Sequence, residues 1–127
     1  MAEVEGVVCD IVLAGEGVAA VFGDRIELAP LGQDETLPAM TYQVISRPSD
    51  DHVGIAWMRI QLTLFAETQT EIVAGAKAVR RALSKYRGVK DGVTIMQITY
   101  LDQHDQPEPG VGRRMRPMDF QVFYKEE

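Results

Sequence analysis

The sequence has few of the residues that build most catalytic and metal centres. It contains one cysteine, Cys9, and two histidines, His52 and His104, among 127 residues. A single cysteine excludes an internal disulfide and is typical of a reducing compartment. Cys9 lies on the apolar side of a predicted helix, so we expect a small buried hydrophobic side chain and no activated thiolate.

Several functional signatures are missing as well. The sequence has no glycine-rich phosphate loop, no Cys-x-x-Cys pair and no His-x-x-x-His pair. Aspartates stand next to or near His52 and His104 and can supply metal ligands with them. Both histidines lie in segments rich in turn-forming residues, however, where aspartate serves the backbone equally well. We therefore predict no catalytic residue, no metal site and no cofactor.

Long apolar runs are also absent. No stretch approaches the ~20 residues that a membrane span needs, and the N-terminal MAEVEG is acidic where a secretory signal would be basic. The length of 127 residues and the hydrophobic fraction of 46% are those of one ordinary globular domain. We predict a single domain over residues 1–127 and no membrane partner.

Positive charge is scarce in the first half of the chain and abundant in the second. The formal net charge is -6. Residues 1–64 carry three basic and ten acidic side chains, a net of -7, whereas residues 65–127 carry ten basic and nine acidic ones, a net of +1. Arg113, Arg114 and Arg116 stand directly ahead of the last predicted strand. This division permits a negative face on one copy to contact a positive face on the next.

The apolar pattern predicts two helices and five strands. Val4 to Val12 have the spacing of an amphipathic helix. A second helix follows the capping-box sequence TQTE, with Thr68 as N-cap and Glu71 three residues later, and Gly88 is expected just past its end. Strands are predicted over DRIELAP and over residues 40–46, 57–65, 92–101 and 118–124.

This order of elements predicts an α+β domain. We expect a largely antiparallel four- to five-stranded sheet, with an N-terminal helix and one long central helix packed on one face. Arg59 and Gln61 alternate with apolar residues in one strand, and Asp119 and Gln121 do so in the last strand. A sheet whose second face is polar often presents that face to a partner.

A small nucleic-acid-adjacent binding module is the main alternative function. The three arginines and the basic residues of the second helix favour it, whereas the negative net charge opposes it. The arginine cluster also lacks interleaved aromatic residues on which bases stack. A small enzyme is the other alternative, and it would require a closed pocket with a histidine or carboxylate of perturbed pKa.

Several segments together resemble a known family. FGDRIELAP is followed by LPAMTYQVIS, then by IQLTLFAETQTEIVAGAKAVRRAL, and finally by RRMRPMDFQVFY. In this order and spacing they resemble the tail-completion or tail-terminator (head-tail joining) family of long-tailed bacteriophages and related gene transfer agents. The likeness spans about residues 20–125, which is nearly the whole chain.

The resemblance implies a structural virion protein without catalytic residues. Such proteins assemble as a ring, commonly a hexamer, at the head-proximal end of the tail tube. The ring ends tube polymerisation and joins the tail to the head connector. The implied partners are other copies of the chain, the tail tube protein and the head-tail connector protein, with DNA passing through the ring without specific binding. The implied location is the virion tail, assembled in the cytoplasm of a bacterial host. Within the class of structural virion proteins, the alternative function is that of another component of the head-tail connector.

Under this resemblance the arginine cluster becomes an interface. Arg113, Arg114 and Arg116 would contact acidic loops of a neighbouring subunit, because a planar guanidinium binds carboxylates bidentately. The loop tips at 47–56 and 102–112 would contact the tube or the connector. The other candidate interface residues are Asp34, Glu35, Asp50, Asp51, His52 and His104. Alternatively the arginines pair within their own subunit or are solvated. An exposed ion pair of this kind contributes at most ~1 kcal/mol to stability.

Overall fold

The protein is built from seven strands and three helices in the part of the chain described by a computed structural model, residues 3–32, 35–46, 56–84, 86–103, 106–107 and 113–126. The helices are α1 (Val4–Leu13), α2 (Val18–Phe22) and α3 (Gln69–Ser84). The strands are β1 (Ile26–Leu28), β2 (Ala39–Ser46), β3 (Ala56–Ala66), β4 (Gly88–Lys90), β5 (Val93–Gln103), β6 (Gln106–Pro107) and β7 (Arg114–Glu126).

The strands form one mixed sheet that curves into a half-barrel. Six of them follow one another in the order β1-β2-β3-β7-β5-β4, and β6 pairs with β7 beyond the end of β5. Among the described strands β1 and β2 are parallel, and every other pair is antiparallel. The long strands β3 and β7 therefore occupy the centre, while the short strands β1 and β4 form the two edges.

One face of the sheet packs against α3 and builds the main core. α3 contacts β3, β5 and β7, and both α1 and α2 pack against α3. Alternate side chains of β3 and β7 point to this face because successive residues of a strand alternate between its sides. The fully buried ones are Met58, Ile60, Leu62, Leu64, Met118, Phe120 and Val122. Each large apolar side chain buried here stabilises the fold by roughly 1.5–3 kcal/mol.

α3 begins where the capping box predicts. The backbone N–H of Glu71 donates to Thr68 Oγ1 at 3.2 Å, and the Thr68 hydroxyl donates to a carboxylate oxygen of Glu71 at 3.0 Å. The first of these bonds satisfies one of the backbone donors that the first helical turn leaves without an intrahelical acceptor.

The prediction that Gly88 ends this helix is wrong. Helix α3 ends at Ser84, and Gly88 opens β4 with a φ of 149°. β4 exists because it pairs with β5 across a two-residue turn at Asp91 and Gly92, whose φ values are 53° and 79°. Two consecutive positive φ values are typical of the tight hairpin turn that matches strand twist.

The predicted element list also needs correction. The molecule is sheet-rich, with more strands than the expected four to five and a parallel pair at one edge, and it is not a small sheet under one long helix. β4, β6 and α2 are absent from the predicted element list. The N-terminal helix and the long strands lie where predicted. No described helix has the length and apolar character needed to span a membrane.

Candidate partner interface

The sheet face opposite the helices carries polar side chains at its centre. Gln61 of β3 lies opposite Asp119 of β7, and Arg59 lies opposite Gln121. Asp119 accepts hydrogen bonds from Gln61 Nε2 at 3.0 Å and from Arg59 Nη2 at 3.5 Å. These four residues were assigned to one polar face from their alternation in the sequence, and the structure brings them together.

Two different apolar ends border this polar centre. At one end Trp57 of β3 pairs with Phe123 of β7, and both rings are half-buried. At the other end a second small core covers the sheet, formed by Leu31, Ala39 and Phe65 with Leu37 and Met115 packed against them. The segment that precedes β2 therefore folds over this end and leaves the polar centre uncovered by it.

Arg59 is the least satisfied residue of the polar face. Its side chain is 40% exposed and shares the long 3.5 Å contact with Asp119. The Nε atom of Arg59 is buried and meets no acceptor among the described residues. An unsatisfied buried donor costs about 1–3 kcal/mol, so Arg59 lowers the stability of the polar face by an amount of this order.

The structure divides the predicted arginine cluster. Arg113 is only 6% exposed, its Nη1 donates to the backbone carbonyl of Gly32 at 3.1 Å, and its guanidinium lies 5.0 Å from the centre of the Phe65 ring. Arg116 is buried as well, whereas Arg114 is exposed. Of the three, Arg114 is thus the one placed to contact another molecule without rearrangement.

The acidic candidates are only partly described. Glu35 is exposed and lines a shallow cleft beside β1 with Asp24, Arg25 and Glu27. Its carboxylate lies next to Gly32, the residue whose carbonyl binds Arg113. The structure therefore brings Arg113 to the loop that carries Glu35 within one chain. The remaining predicted residues, Asp34, Asp50, Asp51, His52 and His104, and most of the tips at 47–56 and 102–112 lie outside the described residues.

Arg113 is expected to be structural. Arg113→Ala removes the bond to Gly32 and the contact with Phe65, so the free energy of unfolding should fall by about 1–3 kcal/mol. Arg114→Ala, on the exposed neighbour, should change it by no more than about 0.5 kcal/mol. Urea denaturation followed by circular dichroism measures both. Equal midpoints for the two variants would contradict the structural role of Arg113.

The chemistry of the single thiol agrees with a packing role. Cys9 is 8% exposed, and burial, with smaller contributions from Asp10 and Glu5, raises the pKa of its thiol to about 12. A reactive cysteine needs a lowered pKa, because the thiolate is the nucleophile. Within the described ranges, no group of three or more histidine, cysteine, aspartate or glutamate side chains is arranged to hold a metal ion.

Comparison with known proteins identifies the family. The family model described as tail completion protein gp17 matches residues 8–125. The chain belongs to the tail completion protein gp17 family. A chain of the "Virion of native gene transfer agent (GTA) particle" has a similar structure, with a TM-score of 0.72 over 93% of this chain and 91% of that chain. The two are 18% identical, so this likeness shows a shared fold. No curated protein is significantly similar in sequence.

Family membership confirms the resemblance that the order of sequence segments indicated. The family match covers both the β1–β2 region and the closing strand β7, where several of the quoted segments lie. The tail completion family supports a structural role in a phage-type tail, as a component of the virion.

Proposed function

We propose that this tail completion protein forms a ring, expected to be a hexamer, at the head-proximal end of the tail. The ring stops further polymerisation of the tail tube and joins the tail to the head connector. The observation that carries the proposal is the tail completion match over residues 8–125. The fold shared with a chain of a gene transfer agent virion supports it.

The division of charge supports self-assembly in a ring. Head-to-tail contacts that close by rotation generate rings, and they join two different surfaces of the same subunit. The first 64 residues are strongly acidic and the remainder is slightly basic, so one subunit carries charges of both signs that such a contact can use. Glu35 keeps its proposed role as an acidic contact toward a neighbouring copy.

Arg114 is the residue that we assign to a contact with the tube or the connector. It is exposed at the first position of β7, opposite Ala66 at the last position of β3. In a ring whose strands run along the tail axis, the ends of β3 and β7 face the next component of the tail. A guanidinium at this end can bind a carboxylate of that component bidentately.

A tube-capping reaction tests the proposal. Tail tube protein of the same particle is polymerised with and without the purified chain, and tube lengths and ends are recorded by negative-stain electron microscopy. We expect short tubes with one capped end, and a ring mass for the chain by light scattering. Arg114→Glu should lose capping because like charges then meet, while Arg81→Glu, exposed on α3, should keep it. Unlimited tube growth in the presence of the folded wild-type chain would contradict the proposal.

A further inference from the structure

The two open edges of the sheet fit each other. We propose that β1 of one copy pairs in parallel with β4 of the next copy, so that the sheet continues from subunit to subunit around the ring. The partner is therefore a second copy of this chain, bound through main-chain hydrogen bonds and complementary charge. This inference rests on the proposed ring and names the surfaces that close it.

Strand direction allows this junction to repeat. β1 and β2 are parallel, and the four following neighbours in the sheet are antiparallel, so β4 runs in the same direction as β1. Measured along the curved sheet, five strand spacings of about 4.8 Å each lie between the two edges, about 24 Å in all. A rotation about an axis parallel to the strands then places β4 of one copy beside β1 of the next. The helices of both copies lie on the same face of the continued sheet. Closed cyclic symmetry requires this equivalence of all copies.

The backbone of β1 offers free hydrogen-bonding groups on its outer side. The N–H of Met40 donates to the carbonyl of Arg25 at 2.9 Å, and the N–H of Ala29 donates to the carbonyl of Tyr42 at 3.0 Å. Residues 25 and 29 thus face β2. The alternation of the strand directs the carbonyl of Ile26 and the N–H of Leu28 toward the open edge. No described strand pairs with that side of β1.

The backbone of β4 has the matching arrangement. Lys90 and Val93 flank the two-residue turn and pair with each other. In such a hairpin the flanking pair exchanges both main-chain hydrogen bonds, so the N–H and carbonyl of Val89 point outward. In a parallel pair, one residue hydrogen-bonds through its N–H and its carbonyl to two residues of the other strand that are two positions apart. Val89 can therefore donate to the Ile26 carbonyl and accept from the Leu28 N–H.

Side chains at the two edges are unusually apolar for exposed strands. Leu28 and Val89 are each 62% exposed, the highest values among the large hydrophobic side chains of the described residues. Edge strands that must stay unpaired are commonly protected by charged residues, proline or a covering element. In the proposed register Val89 lies next to Glu27 on the face opposite the helices and Leu28 lies on the helix face, so the neighbouring strand partly covers each of the two side chains on its own face.

The charges around the two edges are opposite in sign. Asp24, Glu27 and Glu35 line the cleft beside β1. Arg25 lies there too, but its Nε donates to the Pro38 carbonyl at 2.7 Å and its Nη2 approaches the Val21 carbonyl at 3.4 Å, so this guanidinium is directed into its own chain.

The β4 edge carries the complementary charge. Exposed Arg87 precedes β4 and Lys90 ends it, and together they outnumber the single carboxylate of Asp91 in the turn. An acidic β1 edge therefore meets a basic β4 edge. Complementary charge of this kind sets register and suppresses the pairing of like edges, β1 with β1 or β4 with β4.

Engineered disulfides test the junction directly. In the proposed register Glu27 lies opposite Val89, at the strand spacing of about 4.8 Å that a disulfide can bridge. A chain carrying both Glu27→Cys and Val89→Cys should give a ladder of linked species up to the full ring on a non-reducing gel. Each single variant should stay monomeric on the gel, because the junction never brings residue 27 or residue 89 beside itself. Cys9 is buried and should not contribute.

Matched controls separate this junction from others. An equimolar mixture of the two single variants should give linked dimers, whereas Glu27→Cys mixed with Val73→Cys should not, since Val73 is exposed on α3. Val89→Glu places a carboxylate opposite Glu27 and should shift the assembly midpoint at least tenfold in concentration; Val73→Glu should not.

The failure of this inference differs from the failure of the proposed function. An intact ring by light scattering, with no linked species from the double variant, overturns the β1–β4 junction and leaves the ring standing. Dimers from either single variant alone overturn it as well, since they require like edges to meet. A wild-type chain that stays monomeric at all concentrations and does not cap tubes overturns both.

Discussion

Replacing Phe120 with alanine is expected to lower the free energy of unfolding by about 3–5 kcal/mol. Phe120 is fully buried on β7 and stacks at a tilt of 58° against Tyr100, with ring centroids 5.6 Å apart. β7 is hydrogen-bonded to β3 on one side and β5 on the other, so the surrounding backbone cannot close the cavity. Domains of this size have about 5–15 kcal/mol of stability, so the loss is a large fraction.

Phe123→Ala is the matched control for this prediction. Phe123 stands three residues later on the same strand but on the opposite face, where it is half-buried beside Trp57. Urea denaturation of the two variants should show the larger loss for Phe120→Ala. The reverse order would mean that the main core lies on the other face of the sheet, contrary to the position of α3.

Gly75→Leu is expected to destabilise the fold by at least about 1–3 kcal/mol through overpacking. A Cβ atom at Gly75 would lie 2.5 Å from Cζ and 2.8 Å from Cε2 of Phe22, and 3.2 Å from Cδ2 of Leu64. Both neighbours are buried, Phe22 at 1% and Leu64 at 0% exposure, so neither ring nor branch has free space to enter. The close approach of α2 to α3 therefore requires glycine at this position.

Two further variants show whether sterics or helix propensity decides at Gly75. Gly75→Ala gains up to ~1 kcal/mol of helix propensity, yet we expect a lower melting temperature because the contact with Phe22 is too short. Ala74→Leu, exposed on the same helix, should change stability by less than about 0.5 kcal/mol. A higher melting temperature for Gly75→Ala would show that Phe22 moves aside easily and that the glycine is not required.

These variants also make the functional experiments interpretable. The helix face of the sheet carries most of the buried apolar side chains, whereas the proposed contacts lie on the edges and strand ends. Substitutions at exposed Leu28, Val89 and Arg114 should therefore leave the unfolding transition nearly unchanged while altering assembly or capping. Loss of both stability and assembly in one such variant would mean that the substituted side chain contributes to the core as well as to a contact.

Local patterns were sufficient to predict the long elements from the sequence. Apolar and polar residues alternate from 58 to 64 in β3 and from 118 to 122 in β7. Such alternation predicts a strand with one buried face, because successive side chains point to opposite sides of a sheet. The capping-box sequence predicts the start of α3, because the Thr68 hydroxyl accepts a hydrogen bond from the Glu71 backbone N–H in the first helical turn. The polar face of Arg59, Gln61, Asp119 and Gln121 followed from the same alternation.

The tertiary structure alone decided the short strands β4 and β6 and the positions of the arginine side chains. β4 and β6 have three and two residues, too few for a pattern, and each exists because a long neighbouring strand supplies its hydrogen bonds. Arg113 and Arg114 are adjacent and chemically identical, yet one is buried and the other exposed. The carbonyl that holds Arg113 lies 81 positions away at Gly32, so only the folding of that distant loop over Phe65 separates the two side chains.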